Sequence, residues 1–253
     1  TQLNLVRCQV LLGAGRLTEA SAIADAGYQA AVADRSSERT GGWAGFRGLV
    51  AKAEGRVATA EAWLREAVAL LDEQDPYRFM RWCLAELASV AALVGDHEAA
   101  ADWLDRADAR AGEANRYFDP WVELDKAWVG AAAGELTRAV DLATRAADMA
   151  RASKQFTLEA AALYDVARLG APAAVRQRLE ELVGLLEGRL AALLASSAVA
   201  LAANDGAALD RVGAAFEDLG ALLLAAEAKA AAARAHRAAG RDASANASQE
   251  RAA

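Results

Sequence analysis

Small and apolar residues recur along the chain in a pattern typical of paired helices. A glycine is followed five positions later by an alanine, and helix-forming sequence lies on both sides of the glycine. The full pattern begins at Gly15, Gly55, Gly95, Gly134 and Gly240. Gly170 and Gly206 share the spacing but have Val175 and Arg211 in place of the alanine. The pattern predicts seven helix hairpins, each with its turn at one of these seven glycines.

The residues around each glycine share a register. Successive glycines are 40, 40, 39, 36, 36 and 34 residues apart. Seven positions before four of the glycines the side chain is small: Cys8, Gly48, Ala88 and Ala127. Eight positions after two of them stand Trp63 and Trp103. We expect the small residues to let paired helices approach closely and the large ones to fill the seam between them. Because a single hairpin cannot bury its apolar face alone, the hairpins should stack into an α-solenoid.

Composition supports a helical chain and argues against several classes of function. The 253 residues are rich in alanine, leucine, glutamate and arginine, which favour helices, and only three prolines interrupt them. The net charge of −7 argues against nucleic-acid binding by this chain, because binding to phosphates requires a basic surface. The most apolar run, residues 190–203, is shorter than the ~20 residues that cross a bilayer, so we expect no membrane partner.

Residues capable of catalysis are sparse. Cys8 and Cys83 lie far apart with no paired spacing, which indicates neither a disulfide nor a zinc site and fits a reducing cytoplasm. His97 follows a repeat glycine and His236 lies in alanine-rich sequence, so both are expected on exposed surface. We expect no enzymatic activity, no metal and no cofactor.

The repeat pattern resembles tetratricopeptide repeats over almost the whole chain. Residues 216–241 are similar to the end of the tetratricopeptide-like region in MalT-like, LuxR-family transcriptional regulators. The resemblance implies one right-handed α-solenoid of about seven hairpins over residues 1–253. In that family an ATP-binding domain precedes the repeats and a DNA-binding helix-turn-helix follows them. Since this chain has the motifs of neither and opens at Thr1 in helical pattern, we expect it to be a fragment of a larger protein.

Aromatic residues recur at two further repeat positions. Trp82 and Trp121 stand thirteen residues before a repeat glycine, and Trp128 and Tyr164 stand six before one. In tetratricopeptide repeats both positions face the concave groove, so the resemblance implies a ligand or partner site lined by these four rings.

Charged residues lie close to these rings in the sequence. Arg78 and Arg81 are expected at the rim of the groove, where they could bind a carboxylate or phosphate, and Asp125 follows Trp121 by one turn. The alternative is that the four rings pack between helices as core and that the charges pair with one another.

Two functions are compatible with these features. The first, implied by the resemblance, is a ligand-sensing or protein-interaction domain of a LuxR-family regulator. It would couple binding of a small effector or protein partner to the neighbouring ATPase and DNA-binding domains. The alternative is a generic tetratricopeptide scaffold for protein–protein assembly or homo-oligomerisation.

Overall fold

The computed structural model describes residues 2–113 and 115–252. Within these residues the chain forms fourteen α-helices and no strand, which confirms the all-α prediction. The helices are α1 (Gln2–Ala14), α2 (Leu17–Ala33), α3 (Ser37–Ala53), α4 (Val57–Leu71), α5 (Met80–Leu93), α6 (His97–Ala109), α7 (Asp119–Ala132), α8 (Leu136–Ala152), α9 (Phe156–Arg168), α10 (Pro172–Val183), α11 (Leu190–Ala203), α12 (Gly206–Asp218), α13 (Leu222–Ala238) and α14 (Asp242–Ala252).

The helices pack as seven antiparallel hairpins in a tetratricopeptide-like solenoid. Each odd-numbered helix packs on the even-numbered helix that follows it, and each hairpin stacks on the next. From α1 to α11 each odd-numbered helix also contacts the following odd-numbered one, whereas an even-numbered helix packs mainly on its two odd-numbered neighbours in the chain. The odd-numbered helices therefore form the inner layer of the solenoid, and the even-numbered helices form the outer layer.

Six of the seven repeat glycines lie in the hairpin turns, with φ between +70° and +109°. Gly206 does not, and the prediction for this hairpin is wrong by two residues. The left-handed position is taken by Asn204, at φ +51°, and Asp205 caps α12 by accepting hydrogen bonds from the N–H groups of Ala207 and Ala208. Gly206 is the first residue of α12 and packs against His236, where a β-carbon would lie 2.8 Å from the ring.

The small residues before the turns allow close contact between paired helices. The Cys8 thiol donates to the carbonyl oxygen of Ala20, at 3.6 Å, and burial raises the pKa of that thiol to about 12. At the equivalent position a β-carbon on Gly48 would lie 3.3 Å from the carbonyl oxygen of Ala60. Ala88 and Ala127 are fully buried at the same position in the next two hairpins. The predicted register of close helix approach is therefore correct.

The large residues after the turns behave differently from the prediction. Trp63 and Trp103 are only partly buried on outer helices and do not fill a sealed seam. The Arg47 guanidinium lies 3.5 Å from the Trp63 ring centre, and that of Arg106 lies 4.3 Å from the Trp103 ring centre. These tryptophans are partly buried, and each packs against the core while it offers a ring face to an arginine side chain.

The solenoid curves until its first two hairpins contact its last three. Helix α1 contacts α9 and α11. A β-carbon on Gly13 would lie 2.5 Å from the Thr157 side chain, and one on Gly55 would lie 2.6 Å from the backbone nitrogen of Leu223, at the start of α13. A β-carbon on Gly188, before α11, would collide with the backbone of Ala14. The chain therefore closes on itself, and the inner helices surround a cavity that is partly open to solvent.

Replacing Ala127 with leucine should destabilise the fold, because the contact between α7 and α8 has no room for three further carbons. We expect a loss of about 1–3 kcal/mol in the free energy of unfolding, measured by urea denaturation. Ala101→Leu, on the exposed face of α6, is the matched control and should stay within about 0.5 kcal/mol of the parent. Equal urea midpoints for the two variants would show that this contact is not tight.

Candidate ligand-binding site

A cavity of about 240 Å³ lies inside the closed solenoid and is lined by residues from all seven inner helices. Its wall is mainly apolar, because every inner helix directs at least one leucine into it. These leucines include Leu12, Leu49, Leu93, Leu124, Leu158, Leu194 and Leu224. A predominantly apolar concave site with a few polar groups is the usual form of a small-molecule site. The cavity is therefore the candidate functional site.

Three of the four predicted aromatic residues, Trp121, Trp128 and Tyr164, line this cavity. The Trp121 indole N–H donates to Gln155 Oε1 at 3.1 Å, and the Tyr164 hydroxyl lies 2.9 Å from Ser197 Oγ. Trp121 and Trp128 are partly exposed, whereas Tyr164 is buried. Because protein partners hold the polar atoms of Trp121 and Tyr164, the remaining surface of these two side chains offers mainly apolar contact to a ligand.

Trp82 does not line the cavity, and its predicted place in the groove is wrong. It is 1% exposed, with its ring stacked on Phe118 at 4.8 Å between centres and tilted against Phe46 at 5.3 Å. Phe118 immediately precedes α7, and Phe79, which also contacts Trp82, immediately precedes α5. Eight residues separate α4 from α5, whereas three separate α8 from α9. The extra residues of the 40-residue repeats thus carry aromatic rings over Trp82.

The two predicted rim arginines also lie away from the cavity wall. Arg81 is largely buried and pairs with Asp119, at 2.6 Å between Nη1 and Oδ1. Arg78 lies in the segment before α5, in a left-handed conformation with φ +59°. Neither arginine lines the cavity, and the Arg81 guanidinium is paired with Asp119; their role at the rim of the groove stays a prediction.

The cationic group that does line one side of the cavity is Lys52, which was not predicted from the sequence. Its ammonium donates to Glu86 Oε2 at 2.8 Å, to Ser89 Oγ at 2.7 Å and to Asp125 Oδ1 at 3.0 Å. Glu86 and Asp125 occupy the same position, nine residues before successive repeat glycines, on adjacent inner helices. That shared position, together with a lysine one hairpin earlier, is the signal in the sequence that could have revealed the cluster.

The Asp125 carboxyl is the least satisfied member of this cluster. It is 3% exposed, and its Oδ2 atom is buried with no hydrogen-bond partner. Burial and the nearby Glu86 carboxylate raise the pKa of Asp125 to about 7, although Lys52 and a hydrogen bond with the Ser89 side chain oppose the shift. The sequence places Asp125 one turn from Trp121 but does not show that the carboxyl is buried beside a second carboxylate.

A second charged cluster fixes Trp128 on another part of the wall. The Arg168 guanidinium donates to Asp165 at 2.6 Å and to both oxygens of Glu227 at 2.7 and 2.5 Å. Asp165 also accepts from the Trp128 indole N–H at 2.9 Å, and the guanidinium lies 4.2 Å from the Trp128 ring centre. One face and the polar edge of Trp128 are therefore already occupied.

His236 was predicted to be exposed but is 4% exposed. Its Nε2 atom lies 2.9 Å from Asp210 Oδ2, and its Nδ1 atom accepts from Arg241 at 3.0 Å. Ser248 donates to the other oxygen of Asp210 at 2.7 Å. This network joins α12, α13 and α14 outside the cavity wall, so His236 is a structural residue of the last two hairpins.

Comparison with known proteins shows the fold but not a family. No family model and no curated protein matches the chain. The fold is similar to that of a Rap protein in its crystal structure with competence and sporulation factor, with a TM-score of 0.75 and 13% sequence identity. The match covers 97% of this chain and 71% of the Rap chain.

Two classes of feature are missing from the part of the chain that the structure describes. No helix there is both long and apolar enough to span a bilayer. Nor do histidine, cysteine and carboxylate side chains gather there in a group of three or more that could hold a metal ion.

Truncating Trp82 should destabilise the protein more than truncating a tryptophan on an outer helix. Trp82→Ala removes a sealed ring and leaves Glu86 without its indole donor, so we expect a loss of about 3–5 kcal/mol in unfolding free energy. Trp103→Ala, the matched control on α6, removes a partly exposed ring and should cost clearly less. Urea denaturation of both variants measures the difference. A larger loss for Trp103→Ala would contradict the assignment of Trp82 to the core.

Proposed function

We propose that this chain is an effector-sensing interaction domain, in which a ligand in the cavity stabilises the closed form of the solenoid. The closure of the first two hairpins on the last three, around an apolar cavity, is the observation that supports this function. A ligand inside would contact inner helices on both sides of the closure. Binding would therefore shift the equilibrium between closed and more open forms, which a partner on the outer surface could recognise.

The resemblance of residues 216–241 to LuxR-family regulators extends this proposal. In that setting the domain would lie in the cytoplasm, between an ATP-binding domain and a DNA-binding helix-turn-helix, and would transmit effector binding to both. The Rap protein of similar fold was crystallised as a complex with competence and sporulation factor, so a solenoid of this kind has been solved with a partner. That precedent supports regulated partner binding as a use of this architecture.

A scaffold for assembly or oligomerisation is the second candidate, and one observation favours it. Leu3, Val6 and Val10 are 78%, 55% and 59% exposed and follow one another at helical spacing on α1. Such a stripe on a terminal helix is suited to contact with a further repeat or a second protein. A scaffold of this kind would not require the cavity to be coupled to closure.

The two candidates differ in how α1 responds when the cavity is filled. The neutral fluorescent probe N-phenyl-1-naphthylamine should bind the parent protein with increased emission, because the cavity wall is apolar. Binding should also slow amide hydrogen exchange in α1, since α1 contacts α9 and α11 only in the closed form. Ala161→Phe, which fills the cavity, should abolish both effects, whereas Ala101→Phe on the outer surface should preserve them.

Two results would count against the effector-sensing proposal. If the probe bound without any change in exchange at α1, occupancy would be uncoupled from closure and the scaffold would be the better explanation. If Ala161→Phe bound the probe as well as the parent did, the cavity would not be the binding site.

A further inference from the structure

We propose that the cavity binds a small apolar ligand with a single cationic nitrogen, an ammonium or guanidinium group, which pairs with Asp125. This inference rests on the proposed function and specifies the chemical class of the effector. Asp125 lines the cavity from α7, with Oδ1 bound to Lys52 and Oδ2 buried without a partner. A buried carboxylate oxygen without a donor is costly, and because Oδ2 has almost no accessible surface, the Asp125 side chain must turn toward the cavity for a ligand N–H to supply the missing interaction.

The two cations of the wall are not available to an anionic ligand. An ammonium has three N–H donors, and those of Lys52 are matched by Glu86, Ser89 and Asp125. The charge of Arg168 is balanced by Asp165 and Glu227, which both accept from it. A carboxylate or phosphate entering the cavity would therefore lose hydration without gaining a free cation.

The formal charges of the wall favour a cation as well. The ionisable residues that line the cavity are two cations, Lys52 and Arg168, and three carboxylates, Glu86, Asp125 and Asp165. When Asp125 is ionised, one negative charge remains in apolar surroundings; its pKa of about 7 leaves Asp125 partly protonated at pH 7, and a cationic ligand would favour the ionised form. A ligand with one positive charge would balance the wall.

The rest of the wall determines the body of the ligand. Leucines from all seven inner helices, together with Trp121 and Tyr164, offer apolar contact over most of the surface. The volume of about 240 Å³ is below the ~300–1,000 Å³ typical of sites for drug-sized ligands. A short hydrocarbon or aromatic chain that ends in an amine, free or as part of a peptide terminus, has the matching size and charge.

Three probes of equal chain length test this inference: octylamine, octan-1-ol and octanoate at pH 7, each below its aggregation concentration. Calorimetric titration of the whole chain should show octylamine binding about tenfold or more tightly than octan-1-ol, because only the amine forms a charged pair with Asp125. Octanoate should bind more weakly than octan-1-ol. Equal affinities for the amine and the alcohol, or tightest binding of octanoate, would overturn the inference.

Two isosteric variants distinguish a specific ion pair with Asp125 from the general electrostatic effect of the charged residues in the cavity wall. Asp125→Asn should reduce the amine-to-alcohol ratio of affinities to about one while leaving octan-1-ol binding intact. Asp165→Asn removes the same charge from a carboxylate that is already paired, and it should retain most of the amine preference. An equal loss in both variants would contradict a specific pair with Asp125.

The series also distinguishes failure of this inference from failure of the proposed function. Binding of octan-1-ol without preference for the amine would refute the cationic ligand but leave an effector cavity in place. Absence of binding for all three probes and for N-phenyl-1-naphthylamine would refute both. If Asp125→Asn does not fold by circular dichroism, the comparison of the three probes on the parent protein still decides the inference.

Discussion

Close approach of helices and turns at glycines, where any side chain would collide with a neighbour, is the constraint on which the rest of this structure depends. Gly48 allows α3 and α4 to meet within a hairpin, and Gly13, Gly55 and Gly188 allow hairpins distant in the chain to meet at the closure. A side chain at Gly55 or Gly188 would collide with backbone atoms, which cannot rotate away as the end of a flexible side chain can. Curvature, closure and the apolar cavity follow from these contacts.

Enclosure changes the energetics of the charges that line the wall. Lys52 brings Glu86 and Asp125 together where both carboxyl groups are almost fully buried, so every donor of the lysine is used and one carboxylate oxygen has no donor. On an open groove, water would satisfy that oxygen and weaken the repulsion between the two carboxylates. Burial of Asp125 is thus what would make its charge matter for the cationic ligand that we propose.

The repeat could be predicted from the sequence because the residues that produce each hairpin lie close together in the chain. Glycines with positive φ and small residues at fixed offsets specify a hairpin, so six turns and the close contact at Cys8, Gly48, Ala88 and Ala127 could be predicted. The prediction placed a turn at Gly206, but Asn204 adopts the left-handed conformation two residues earlier.

The lining of the cavity was harder to predict because it depends on residues that lie far apart in the chain. Trp121, Trp128 and Tyr164 line the cavity, but Trp82 is covered by Phe79 and Phe118 from long connecting segments. Lys52 joins two carboxylates from later hairpins, so its role depends on the curvature of the solenoid. No spacing within a single repeat specifies that curvature.

Closure itself is tested most directly by small-angle X-ray scattering of Gly55→Leu beside Gly95→Leu. Both glycines have φ near +80°, so both variants carry a similar conformational cost in the turn. A side chain at position 55 must displace the start of α13, whereas a β-carbon at position 95 meets no atom within 4 Å. We predict a larger radius of gyration for Gly55→Leu alone, with Gly95→Leu matching the parent. Indistinguishable scattering from all three proteins would contradict a solenoid held closed at this contact.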